Sequence, residues 1–158
     1  MSQATKTDTD RIEKRIELRA PVARVWKALS NAREFGTWFG ADLRDDFVPG
    51  VTARGHMKIP GYEHLTIELM IERMEKETLL AFRWHPFAID PDVDYSQEPT
   101  TLVELRLTPS PTGTLLVVTE TGFDALPAAR RAKAFEMNSG GWAAQLENIA
   151  RYVHADVA

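Results

Sequence analysis

The chain has 158 residues, 44% of them hydrophobic and 27% charged, with a net charge of -4 and no cysteine. That composition excludes disulfides, thiolate catalysis and zinc–sulfur sites, and it lacks the basic stripe of a nucleic-acid binder. No apolar run approaches the ~20 residues of a membrane span. The polar segment Met1 to Asp10 has no signal-peptide core. The expectation is a cytoplasmic protein, monomer or homodimer, with residues 1–9 disordered and one domain over 10–158.

Arg11 to Arg19 alternates, with Ile12, Ile16 and Leu18 on one side and Glu13, Arg15 and Glu17 on the other. This predicts a strand with one wet face. Ala20-Pro21 opens a helix whose buried face is Val22, Val25, Trp26 and Leu29. Asn31, with Glu34 three residues on, starts a second short helix that carries Phe35, Trp38 and Phe39 up to Gly40. From there the pattern has period two. Strands are expected over Leu43 to Val48, Val51 to Ile59, Leu65 to Met74, Thr78 to Trp84, Thr100 to Thr108 and Thr114 to Thr121. Pro49-Gly50, Pro60-Gly61 and Pro109 to Gly113 supply turns, and His85 to Pro99 forms a loop. Short connections make neighbouring strands antiparallel. Pro127 to Val153 reads as one long helix that Ser139-Gly140-Gly141 can interrupt. Its apolar stripe is Trp142, Leu146, Ile149 and Val153. The order is β, α, α, a run of strands, then α: an α+β chain whose sheet must cover the stripe of the last helix.

Several residues in this order resemble a known family. They are Ala20-Pro21 with Val25-Trp26-Lys27-Ala28-Leu29, Trp38-Phe39, Pro49-Gly50, Phe82-Arg83-Trp84, Gly113-Thr114-Leu115-Leu116, Gly122-Phe123, and Gly141-Trp142 with Leu146. From about residue 11 to 153 the set is similar to the START-like superfamily, the polyketide cyclase, dehydrase and lipid-transport superfamily. Within it the chain resembles the branch named for the activator of the heat-shock-protein-90 ATPase. The resemblance implies a helix-grip fold: a curved antiparallel sheet of about six or seven strands wrapped round the C-terminal helix, with two short helices after the first strand and a cavity between. The eukaryotic co-chaperone that names the branch has an additional N-terminal domain, which is not expected within these residues.

Ligand pockets are mostly apolar with a few placed polar groups. The candidate lining is therefore Trp38, Phe39, Met70, Trp84, Phe87, Trp142 and Leu146, with Arg54 and His56 as anchors for a polar group. Each aromatic is equally a candidate for plain core packing. Glu120 is in phase with Leu116 and Val118 and turns inward if they do, as an acid, a base or an anchor. His85, between Trp84 and Pro86, is the best-placed histidine for proton transfer. No histidine spacing matches a metal site, and the Asp90-to-Asp94 run lacks the glycine and the glutamate of a calcium loop. No phosphate loop or nucleophile elbow is present, so no metal and no cofactor is expected. Three functions stay open. The first is binding of a small hydrophobic or aromatic molecule, lipid or polyketide-like. The second is a cyclase- or dehydratase-type enzyme using Glu120 or His85. The third is a protein-interaction or co-chaperone-like domain.

Overall fold

The computed structural model describes residues 8–90 and 92–155. The expectation of disorder over 1–9 therefore falls mostly outside the described residues. Strand β1 (Arg11–Leu18) is followed by helices α1 (Val22–Ser30) and α2 (Ala32–Phe39). Six more strands follow: β2 (Ala41–Leu43), β3 (Thr52–Met57), β4 (Thr66–Glu75), β5 (Leu79–Trp84), β6 (Thr101–Ser110) and β7 (Gly113–Thr121). A short 3-10 turn over Phe123–Ala125 leads into helix α3 (Ala128–His154). The seven strands form one antiparallel sheet in the order β1-β7-β6-β5-β4-β3-β2.

The local chemistry explains the early elements. The Asn31 side chain accepts a hydrogen bond from the backbone N–H of Glu34, closing the open first turn of α2. Gly40 ends that helix in the left-handed region at φ 97, where a side chain would be strained. The strand expected over Leu43 to Val48 is shorter and earlier. After Leu43 the chain leaves the sheet, and Phe47 turns in against Phe35 at 5.5 Å between ring centroids. Burial of that ring outweighs continued strand pairing through the exposed Asp45 and Asp46. In β4 the register shifts between Ile71 and Arg73, a bulge that alternation alone does not reveal.

One row of paired residues crosses the concave face: Ile12, Glu120, Val103, Phe82 and Ile71. All five are buried. Helix α3 closes this face, and Trp142, Leu146, Ile149 and Val153 are each no more than 5% exposed. The stripe is where the sequence puts it. The interruption is not: α3 runs unbroken through Ser139-Gly140-Gly141. A glycine inside a helix costs ~1 kcal/mol against alanine, so something must hold this stretch. That holding group is Glu120.

Candidate functional site

Glu120 is fully buried and takes hydrogen bonds from four side chains. Trp142 Nε1 donates to one carboxylate oxygen at 2.8 Å. Trp84 Nε1 at 2.8 Å and Thr101 Oγ1 at 2.5 Å donate to the other. The Asn138 amide lies 3.1 Å from both oxygens. No ion pair to Glu120 occurs among the described residues. An uncompensated buried carboxylate is costly, and neutral donors are what offset that cost here. An indole N–H can only donate, so both tryptophans treat Glu120 as an acceptor. A carboxylate offers about four lone-pair sites, and these contacts fill them. Asn138 and Trp142 are one helical turn apart and so point the same way. They flank Gly140 and Gly141, and their shared partner pins the helix to the sheet across its weakest stretch.

Beside this hub lies a half-open cavity of about 620 Å³. Its walls come from the end of α2 (Phe39), the β3–β4 connection (Met57 to Leu65), the start of β4, Trp84 at the end of β5, the 85–96 loop, and Met137 and Asn138 on α3. Trp84 and Asn138 belong to both structures: each donates to Glu120 and each lines the cavity. Trp84 also lies 5.9 Å from Phe39 and 5.7 Å from Trp142, ring centre to ring centre. The cavity wall is therefore the outer surface of a buried aromatic cluster.

The loop that forms the far wall is tied down. Arg130 of α3 donates to the backbone oxygens of Pro86 at 2.8 Å and Phe87 at 3.0 Å, and to Glu98 at 2.8 Å. Phe87 sits at φ 52, a left-handed conformation that costs a bulky residue ~1–2 kcal/mol. It holds its ring in the cavity wall in that conformation. Asp94, in the same loop, is held below the usual carboxylate range by hydrogen bonding from Ser96, whose backbone N–H donates at 2.9 Å. His85 lines the cavity, and its Nδ1 is buried without a hydrogen-bond partner among the described residues.

Of the lining proposed from sequence, Phe39, Trp84 and Phe87 come together on the cavity wall. Trp142 stands one layer behind, and Leu146 is buried further along the helix. Trp38 lies in the core, its indole donating to the Ala28 backbone oxygen at 2.9 Å. Met70 faces the opposite side of the sheet, in phase with Glu68 and Glu72, beside a shallow surface depression. Arg54 is exposed and paired with Glu68, and His56 is exposed near the β2–β3 edge. Glu120 does point inward with Leu116 and Val118. Reading the sequence missed Thr101 and Asn138. Both were within reach: counting back from the Pro109 to Gly113 turn sets Val103 opposite Glu120 and Thr101 one step along the same face. Asn138 precedes Trp142 by four residues. The cavity residues Ile59, Tyr62, Val93 and Tyr95 carried no such signal, because they lie in irregular connections.

Residues 19–154 match the profile of the family described as "Activator of Hsp90 ATPase homolog 1-like protein". The chain belongs to that family. The family is part of the START-like, polyketide-cyclase superfamily, whose fold typically binds hydrophobic ligands. Solved structures agree on this helix-grip fold. A protein from Arthrobacter aurescens superposes with a TM-score of 0.76 at 19% identity, covering 95% of this chain and 90% of its own. Protein NE0264 from Nitrosomonas europaea gives 0.73 at 18% identity, covering 97% and 99%. DynU16, described as a putative protein in the dynemicin biosynthetic locus, gives 0.70 at 23% identity, with 92% of this chain covering 47% of that one. At these identities the likeness is one of fold. No curated protein matches. Among the described residues of this Hsp90-activator-like chain, no helix is long and apolar enough to cross a membrane, and no cluster of side chains is arranged to hold a metal ion.

Proposed function

We propose that the protein binds a small, mainly apolar and aromatic molecule in the cavity between the sheet, the 85–96 loop and the first half of α3. The observation that carries this reading is where exposed apolar surface is found. Six large hydrophobic side chains are exposed among the described residues, and four of them, Ile59, Tyr62, Val93 and Met137, line this one cavity. Large exposed apolar groups gathered at one concave place mark a binding site, whereas scattered ones mean nothing. The volume also falls within the ~300–1,000 Å³ of small-molecule sites. Glu120 serves here as a positioning group. Its oxygens are occupied, and what it positions are the two residues, Trp84 and Asn138, that the ligand would touch.

The experiment is a calorimetric titration with a neutral bicyclic aromatic, 2-naphthalenemethanol, on the intact chain and on Ala88→Trp. Ala88 is part of the wall, and a tryptophan there fills the space. Saturable binding with a negative heat-capacity change, lost in Ala88→Trp at unchanged melting temperature, supports the reading. Equal binding by both proteins overturns it.

A further inference from the structure

The cavity's charge points to a narrower class of ligand. Two acidic residues, Asp90 and Asp94, line the cavity, Glu68 borders it from the outer face of β4, and no lysine or arginine lines it. Glu68 is neutralised by Arg54, whose Nε lies 2.6 Å from its carboxylate. Outside the wall, Arg130 lies over the Tyr95 ring at 4.7 Å and is neutralised by Glu98 at 2.8 Å, and Lys58 stands between the wall residues Met57 and Ile59 without lining the cavity itself. Asp90 and Asp94 are left with no ion pair among the described residues; Asp90 accepts the Asp92 backbone N–H, and Asp94 accepts hydrogen bonds from Ser96, one of them from its backbone N–H. The remaining titratable groups of the wall are His64, His85, Tyr62 and Tyr95. Two buried side-chain polar atoms have no partner among the described residues, Ser110 Oγ and His85 Nδ1, and only His85 belongs to the cavity.

The fixed charges of the wall are thus acidic, and the unpartnered His85 Nδ1 accepts a hydrogen bond in the imidazole tautomer whose proton is on Nε2. The surfaces between them are aromatic faces: Trp84, Phe87, Phe39, Tyr62 and Tyr95. Aromatic faces attract cations, and carboxylates at a cleft mouth raise the local concentration of positive ligands. An anionic amphiphile such as a fatty acid would meet two unpaired carboxylates and no lysine or arginine in the wall. We propose that the cavity selects a cationic aromatic ligand, an aryl-alkyl ammonium, by the unpaired carboxylates of Asp90 and Asp94 and the free Nδ1 of His85. This rests on the binding reading given above and adds the charge of the ligand to it.

Three probes of one size test the assignment in low-salt buffer at neutral pH: 2-naphthylmethylammonium, 2-naphthalenemethanol and 2-naphthoate. The ammonium should bind about tenfold tighter than the alcohol, which is the scale of two exposed charge pairs, and the carboxylate weakest of all. Raising the salt should narrow the ammonium's lead. Asp90→Asn with Asp94→Asn should bring the ammonium to the alcohol's affinity, both measured on that variant; asparagine keeps the acceptor that each local backbone N–H needs. His85→Phe should weaken both ammonium and alcohol, and His85→Asn should recover part of the loss. The two aspartates lie on an exposed loop, so their double variant remains informative if the His85 variants fold poorly. Alcohol and ammonium binding equally, or the carboxylate binding best, overturns the charge assignment alone. If none of the three binds, the ligand-binding reading falls with it.

Discussion

The two halves of α3 meet the same sheet and do opposite things. After Gly141 the helix turns Trp142, Leu146, Ile149 and Val153 into the core, and the space beneath is solid. Before Gly140 only Ala134 is fully enclosed, Met137 is 40% exposed, and the space beside it is a cavity of about 620 Å³. One half holds the fold together and the other leaves room. The boundary is Glu120, bonded to Asn138 on the hollow side and Trp142 on the filled side. A buried polar hub here does what an apolar plug could not: it fixes where packing stops.

Removing the hub should blur that boundary and produce the largest effect. Glu120→Gln keeps the shape but sets an amide N–H against partners that themselves donate. A loss of about 3 kcal/mol or more in urea unfolding is expected, the scale for breaking a buried charged network. Tryptophan emission should change with it, since Trp84 and Trp142 donate to different oxygens of Glu120 and one of the two indoles loses its acceptor. A loss below about 1 kcal/mol would mean that the hub is incidental.

The filled and hollow halves then predict different responses to truncation. Leu146→Ala should cost about 2–5 kcal/mol in the same assay, as large-to-small core substitutions do. Met137→Ala, the same kind of shortening less than three turns away, should stay within about 0.5 kcal/mol. It should instead weaken binding of 2-naphthalenemethanol. Equal costs at the two positions would erase the distinction between the halves.

The smallest effect concerns the join itself. A Cβ added at Gly140 or Gly141 meets no atom within 4 Å. Gly140→Ala and Gly141→Ala should each stabilise the protein by about 0.5–1 kcal/mol, through a less flexible unfolded chain and better helix propensity. No gain, or a loss, would show that the helix needs its glycines in the folded state.

How much of this was legible beforehand follows the same division. The filled half is periodic: a stripe at Trp142, Leu146, Ile149 and Val153 can be read off the sequence because burial repeats with the helix. The aromatic set was visible as residues but not as positions. Trp38 and Trp84 read alike in the chain, and only tertiary packing puts one in the core and the other on a cavity wall. Met70 shows a further limit. Period two groups it with Glu68 and Glu72 and says nothing about which face is concave. The hollow half is built from the 85–96 loop and the β3–β4 connection, where no period exists. Its defining residues, Ile59, Tyr62, Val93 and Tyr95, are brought together by turns and by Arg130 reaching across to the loop backbone. The possible interruption of α3 stayed open for a related reason: two glycines signal a break locally, and the hydrogen bonds that override them come from a carboxylate 18 and 22 residues away in sequence.

The central claim is that the interior is hollow on one side of Glu120 and full on the other. It is tested most directly by fluorine NMR of the protein carrying 5-fluorotryptophan at its four tryptophans, titrated with 2-naphthalenemethanol. Trp84, on the cavity wall, should show the largest shift, Trp142 behind it a smaller one, and the core Trp38 and half-buried Trp26 almost none. Shifts largest at Trp38 or Trp26, or no shift at any of the four at saturating probe, would contradict it.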